Sequence, residues 1–208
     1  MMRTTTLAMI SFILFGAMVG CQTDRAASSA GYTTVAKDPR RDTDAARRHN
    51  ARGIEHLQAG RLDAAEKELR AALEADVFFG PAHNNLGTVY YRRYEYYNAA
   101  WEFQYAAKLM AHSAEPRNNL GLVFEAVGRL DEAAAWYDKA LSLAPDAVEI
   151  TANLARTRIR AGQTDARTRQ LLEEIVLKDT RGQYTAWARE QLVTMGATPP
   201  QPSDVVDQ

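Results

Sequence analysis

Catalysis and ligand binding need particular side chains at particular spacings, and this chain of 208 residues holds few of them. It has no G-x-S-x-G elbow, no G-x-G-x-x-G loop and no G-x-x-x-x-G-K-[ST] phosphate cradle. His49, His56, His83 and His112 stand in no HExxH or other paired ligand spacing. His49 and His83 lie 34 residues apart and read as packing residues, and His56 reads as a half-buried core histidine. Asp131-Glu132 and Glu173-Glu174 read as solvated carboxylates on helix surfaces. Cys21 is the single cysteine, so an intramolecular disulfide and a Cys-rich metal site are both excluded. No catalytic residue, metal or cofactor is expected. Lys plus Arg is 25 and Asp plus Glu is 26, a net charge of −1 that lacks the basic excess nucleic-acid binding draws on. The 46% hydrophobic content excludes a wholly disordered chain.

The chemistry that does recur is amide chemistry. Asn85, Asn119 and Asn153 fall at intervals of 34, and Asn84 and Asn118 stand beside the first two. Each asparagine side chain carries donors and an acceptor. On a helix, Thr88, Tyr91 and Arg92 share a stripe with Asn84 and Asn85. The run from Tyr90 to Tyr97 holds five Tyr and two Arg, residue types that dominate protein interfaces. Tyr90 and Tyr96 fit core positions, which leaves Tyr91 and Arg92 as partner contacts.

The elements that hold these residues follow from the same period. Gly53, Gly87 and Gly121 repeat every 34 residues, as do Ala65, Ala99 and Ala133. Gly60, Gly128 and Gly162 share one lattice, with Tyr94 at the missing point. The local pattern is helix, turn, helix. It predicts helices near 44–58, 62–75, 81–93, 96–110, 114–127, 130–143, 146–161 and 164–178, with a ninth near 183–195 that closes the stack. Glycine suits turns that need positive φ, so Tyr94 must bear that strain or extend its helix. Pro145 is expected to end one helix and open the next. Residues 196–208, with Pro199, Pro200 and Pro202, read as a disordered tail.

Leu120-Gly121, Phe124, Gly128, Ala133, Tyr137, Ala140 and Pro145 resemble the tetratricopeptide (TPR) signature, and Leu86-Gly87, Tyr90, Ala99, Phe103 and Ala106 repeat it. The first unit matches through Gly53, Gly60, Ala65, Leu69 and Ala72. The fourth is degenerate, with Ala155 for Gly and Arg167 for the small residue of its second helix. The resemblance implies an all-α fold: a right-handed TPR solenoid of antiparallel helix pairs over 44–195, with repeats near 46–79, 80–113, 114–147 and a degenerate 148–181, and a C-terminal capping helix at 183–195. It also implies that the first (A) helix of each pair lines a concave groove. There Asn84, Asn85, Thr88, Tyr91, Arg92, Asn118, Asn119 and Asn153 would hold an extended peptide. The alternative is that the asparagines hydrogen-bond the backbone of the neighbouring repeat and stabilise stacking. A clamp for a partner's C-terminal carboxylate is disfavoured, because Asn50, Glu115 and Asn119 occupy the places where such clamps carry Lys and Arg.

The N-terminus reads separately. Arg3 precedes an uncharged run from Leu7 to Gly20, too short for a permanent span and suited to a signal peptide at 1–20. Met18-Val19-Gly20-Cys21 resembles a bacterial lipobox, which makes Cys21 the lipidation site and residues 21–43 a lipidated Cys and flexible tether. Gln22 in place of Asp favours the outer membrane within that resemblance. The expectation is a non-catalytic protein-binding scaffold, lipid-anchored to a bacterial membrane and facing the periplasm. Its partners would be envelope proteins or peptides and, through the anchor, the membrane, with no nucleic acid. The alternatives are a pilotin or cell-wall-hydrolase adaptor lipoprotein, an accessory subunit that stimulates an envelope enzyme, and a structural homo-oligomer.

Overall fold

A computed structural model describes residues 41–200. The signal peptide, Cys21, most of the tether and residues 201–208 lie outside the described residues. Among the described residues there are nine α-helices and no strand: α1 (Thr43–Gln58), α2 (Leu62–Ala75), α3 (Gly80–Arg92), α4 (Tyr96–Leu109), α5 (Glu115–Ala126), α6 (Leu130–Leu141), α7 (Val148–Arg160), α8 (Ala166–Lys178) and α9 (Thr185–Thr194). Each lies within two residues of its expected bounds. None is long and apolar enough to cross a membrane.

The pairs α1–α2, α3–α4 and α5–α6 are held together by one rule of size. Ala65, Ala99 and Ala133 are fully buried where the two helices meet. Opposite them a glycine faces a large side chain. A methyl group on Gly87 would come 2.7 Å from the Phe103 ring, and one on Gly121 would come 2.4 Å from the Tyr137 ring. Leu69 fills the same place against Gly53. Contact this close leaves no room for growth on either side, since core packing tolerates little added volume.

The turns inside the pairs repeat as closely. The N–H groups of Arg61, Glu95, Arg129 and Gln163 each reach back to a carbonyl of the preceding helix, on His56, Tyr90, Phe124 and Arg158, all at 2.9 Å. This is the six-residue closure that ends a helix through a residue of positive φ. Gly60, Gly128 and Gly162 supply that conformation at φ +70°, +79° and +75°. Tyr94 bears the strain instead of extending α3, with φ +62°.

Two expectations need correction. Pro145 does not stop α6, which ends at Leu141. The chain there is turned by the N–H groups of Ser142 and Ala144 bonding Asp138 and Ala140, and Pro145 lies in the loop before α7. The expected tether up to residue 43 ends earlier. Asp42 caps α1 by accepting from the Ala45 N–H at 2.9 Å, and Arg41 and Thr43 both bond the buried Asp76 at the end of α2.

The degenerate fourth unit has a physical cause. Its turn, residues 161–165, is two residues longer than the three-residue turns of the other pairs, and the core register behind it slips by one. Asp165 caps α8 through the Thr168 N–H, and the Thr168 hydroxyl donates to the Gln163 carbonyl at 2.6 Å. The small buried position therefore slips from Arg167, which is exposed, to Thr168, which is fully buried. Leu172 then takes the place of Tyr137, and Ile175 that of Ala140. After α8, Asp179 accepts from the N–H groups of Tyr184 and Thr185 and starts α9, whose Ala188 and Leu192 complete the core. Gly196, at φ +72°, and Ala197, whose N–H bonds the Leu192 carbonyl, close α9. The expected tail thus begins with two residues still tied to the helix. The core itself forms two clusters, one from Ala46 to Val123 and one from Ala133 to Leu192, and Phe124 packs against both.

Candidate functional site

The A helices stack side by side, α1 against α3 and α3 against α5. Their asparagines bond each other from helix to helix. Asn85 Nδ2 donates to Asn50 Oδ1 at 2.9 Å, Asn119 Nδ2 to Asn84 Oδ1 at 3.0 Å, and Asn153 Nδ2 to Asn118 Oδ1 at 3.1 Å. Each bond spans 35 residues, one more than the repeat, so each links two different series. One series accepts (Asn50, Asn84, Asn118) and the other donates (Asn85, Asn119, Asn153). Asn50, Asn84, Asn118 and Asn153 are buried, while Asn85 and Asn119 are half-buried. A buried amide without partners would cost about 1–3 kcal/mol, and the pairing removes that cost. Asn50 is the member that reading the single 34-residue series does not reveal. Its signal is its place one repeat before Asn84.

The other sequence candidates sit around this ladder. Asn84 Nδ2 donates to Glu115 Oε1 at 2.8 Å, and the Thr88 hydroxyl donates to the Asn84 carbonyl. Arg92 Nη1 donates to the Leu57 carbonyl at 2.7 Å, so it caps the C-terminus of the preceding A helix. A cation there also complements the helix dipole. The Tyr91 ring lies 5.8 Å from that of Tyr96, tilted by 59°. Burial, with Tyr96 and Glu125 nearby, pushes the Tyr91 phenol above its ordinary value.

Four further residues join the site, Glu125, Tyr137, Arg156 and Arg160. Glu125 occupies the Tyr91 place one repeat on. It accepts from the Tyr137 hydroxyl at 2.9 Å and from Arg160, and Arg156 Nε lies 3.9 Å away. Burial and the Glu125 charge push the Tyr137 phenol far up. Arg156 also donates to Asn153 Oδ1 at 2.6 Å and remains 45% exposed. The half-exposed surface of the A helices is therefore Asn85, Thr88, Tyr91, Asn119 and Arg156, with the buried amides fixed beneath it. Such a surface offers fixed donors and acceptors to an extended backbone.

Three of the histidines do packing work. His49 Nδ1 meets Glu68 Oε2 at 2.8 Å and His83 Nδ1 meets Glu102 Oε2 at 2.6 Å, so one A–B helix pairing recurs with the repeat. His83 Nε2 also bonds the Val77 carbonyl at 2.8 Å. His56 is half-buried and accepts from Arg61 Nε at 3.0 Å. Among the described residues no group of three or more His, Cys, Asp or Glu could hold a metal ion.

Comparison with known proteins follows this geometry. Tetratricopeptide repeat models match residues 50–116 and 114–147. A mouse (Mus musculus) protein, superkiller complex protein 3, is 30% identical over 112 residues. That match covers 54% of this chain, which spans only 7% of the mouse protein's length. Among solved structures, the first TPR domain of Spaghetti (RPAP3), bound to an HSP90 peptide, superposes with a TM-score of 0.57 at 21% identity, covering 60% of this chain and 98% of that one. YrrB, described as a TPR protein with an unusual peptide-binding site, gives 0.59 at 18% identity, covering 71% and 76%. At these identities the likeness is one of fold. The chain carries tetratricopeptide repeats, and its described helices form an all-α TPR solenoid.

Proposed function

We propose that the chain is a non-catalytic scaffold that binds a protein partner by holding an extended segment of it against the A helices. The observation that carries this reading is the half-exposed row Asn85, Thr88, Tyr91, Asn119 and Arg156 above an internally bonded amide ladder. The buried asparagines position the surface, and the half-exposed ones meet the ligand. The setting belongs to the same proposal. Cys21 after Met18-Val19-Gly20 supports a lipid anchor, probed below by acyl labelling, with the folded part on the periplasmic side of a bacterial membrane.

Pull-down from envelope extract tests the reading. Because Asn85 and Asn119 also hold neighbouring helices together, Tyr91 and Arg156 are the cleaner probes. Tyr91→Ala is expected to weaken capture by about thirtyfold, the cost of losing an interface anchor of about 2 kcal/mol. Arg156→Ala is expected to weaken it less. Undiminished capture by the double variant, with the fold intact by circular dichroism, would remove the A-helix face from consideration.

A further inference from the structure

We propose that the outer face of α4 carries a second binding site, for a neutral pyranose ring of a glycan, separate from the A-helix face. Tyr97 and Trp101 stand one helical turn apart and are 82% and 65% exposed. They form the wall between two surface cavities. One, of about 480 Å³, is lined by Arg70, Tyr90, Tyr97, Asn98, Trp101 and Glu102. The other, of about 380 Å³, shares Tyr97 and Trp101 and adds Phe124, Gln104 and Arg129. Both volumes fall within the range of small-ligand sites.

The polar groups of the first cavity are held from behind. Glu102 gives Oε2 to His83 Nδ1 at 2.6 Å, and His83 is itself fixed by the Val77 carbonyl. Arg70 donates through Nε to Glu66 at 2.8 Å and through Nη2 to the Tyr90 hydroxyl at 2.8 Å. Among the described residues Glu102 Oε1 and Arg70 Nη1 make no hydrogen bond. A fixed acceptor and a fixed donor therefore open into one cavity beside two exposed rings. Groups already held in place lose little freedom on binding.

Charge narrows the ligand. An anion meets Glu102 and a cation meets Arg70, so neither is favoured. Neighbouring hydroxyls suit both, since each donates to a carboxylate and accepts from a guanidinium. The aromatic pair asks for a flat ligand face with hydrogens of positive character against the negative faces of the rings. A pyranose with equatorial hydroxyls has both features: axial C–H bonds on its faces and a rim of hydroxyls. Trp101 and Tyr97 reach both cavities, so a glycan chain can lie across the ridge with one ring in each.

The test is calorimetric titration of the full chain with cellotetraose and with the N-acetylglucosamine tetramer. Saturable binding of at least one is expected. Trp101→Ala should weaken it about thirtyfold or more, as for loss of a central aromatic contact. Arg70→Met should weaken it about tenfold. Trp101 is exposed, so its variant should melt like the parent. The proposal is overturned if neither oligosaccharide binds up to its solubility limit, or if binding survives Trp101→Ala. It is equally overturned if Trp101→Ala abolishes capture of a protein partner while no sugar binds, because the ridge is then a protein interface.

Discussion

At the scale of single residues, the asparagines decide whether polar groups under a binding surface add strength or only shape. Asn119 donates to Asn84 Oδ1, and Asn84 is 3% exposed. Asn119→Ala leaves that buried oxygen without its donor, so the variant should lose about 1–2 kcal/mol and melt at a lower temperature. An unchanged thermal midpoint would show that water replaces the bond at no cost. Asp76 offers a second test. Burial raises its carboxyl, but Arg41, Thr43 and the Phe78 N–H together outweigh burial and hold it below its ordinary value of 3.8. A carboxyl with a depressed folded value contributes stability that is present above the unfolded value and lost as pH falls through the folded one. Asp76→Asn should therefore be less stable than the parent at neutral pH, and the gap should narrow below about pH 4. Melting curves from pH 7 down to pH 2 read this directly, and a constant gap would contradict it.

At the scale of the elements, the turns and helix contacts carry the period. Tyr94 occupies a place where its three counterparts are glycine, at φ +62° and 77% exposed. Tyr94→Gly should raise stability by about 1 kcal/mol, since positive φ costs a non-glycine residue about that much and little packing is lost. A lower melting temperature would show that its edge contact with Tyr96 matters more. The slipped fourth unit gives a paired test. Thr168→Leu should cost about 1–3 kcal/mol by overpacking, whereas Arg167→Leu should be nearly neutral. Equal effects would contradict the one-residue slip. The slip also shows what the sequence could not convey. Repeats of Gly, Ala and aromatic residues place the helices within two residues, because each reports a contact that recurs. A single inserted residue breaks the count without breaking the fold, because Asp165 and Thr168 close the longer turn. The candidate site was legible as a stripe of Asn, Thr, Tyr and Arg. Its hydrogen bonds were not, because they join residues 35 apart across two series and so cut against the 34-residue register.

At the scale of the whole molecule, the proposed anchor would keep the scaffold at the bilayer, since several acyl chains together hold a protein to it stably. Changing Cys21 to Ser should abolish acyl labelling and move the chain into the soluble fraction. Retained labelling would exclude Cys21 as the anchor. The amide ladder has a consequence for how many units such a stack holds. Every interior A helix needs both members, one to accept from the next helix and one to donate to the previous. α3 and α5 have both, as Asn84-Asn85 and Asn118-Asn119. α1 keeps only the acceptor, Asn50, with Ala51 at the donor place, and α7 keeps only the donor, Asn153, with Ala152 at the acceptor place. The ladder is thus written with a first rung and a last one. A duplicated copy of residues 80–113 inserted in frame would find both of its bonds waiting, whereas a copy of the first or fourth unit placed inside would interrupt the row. Growth in number is open to the middle of this stack and closed to its ends.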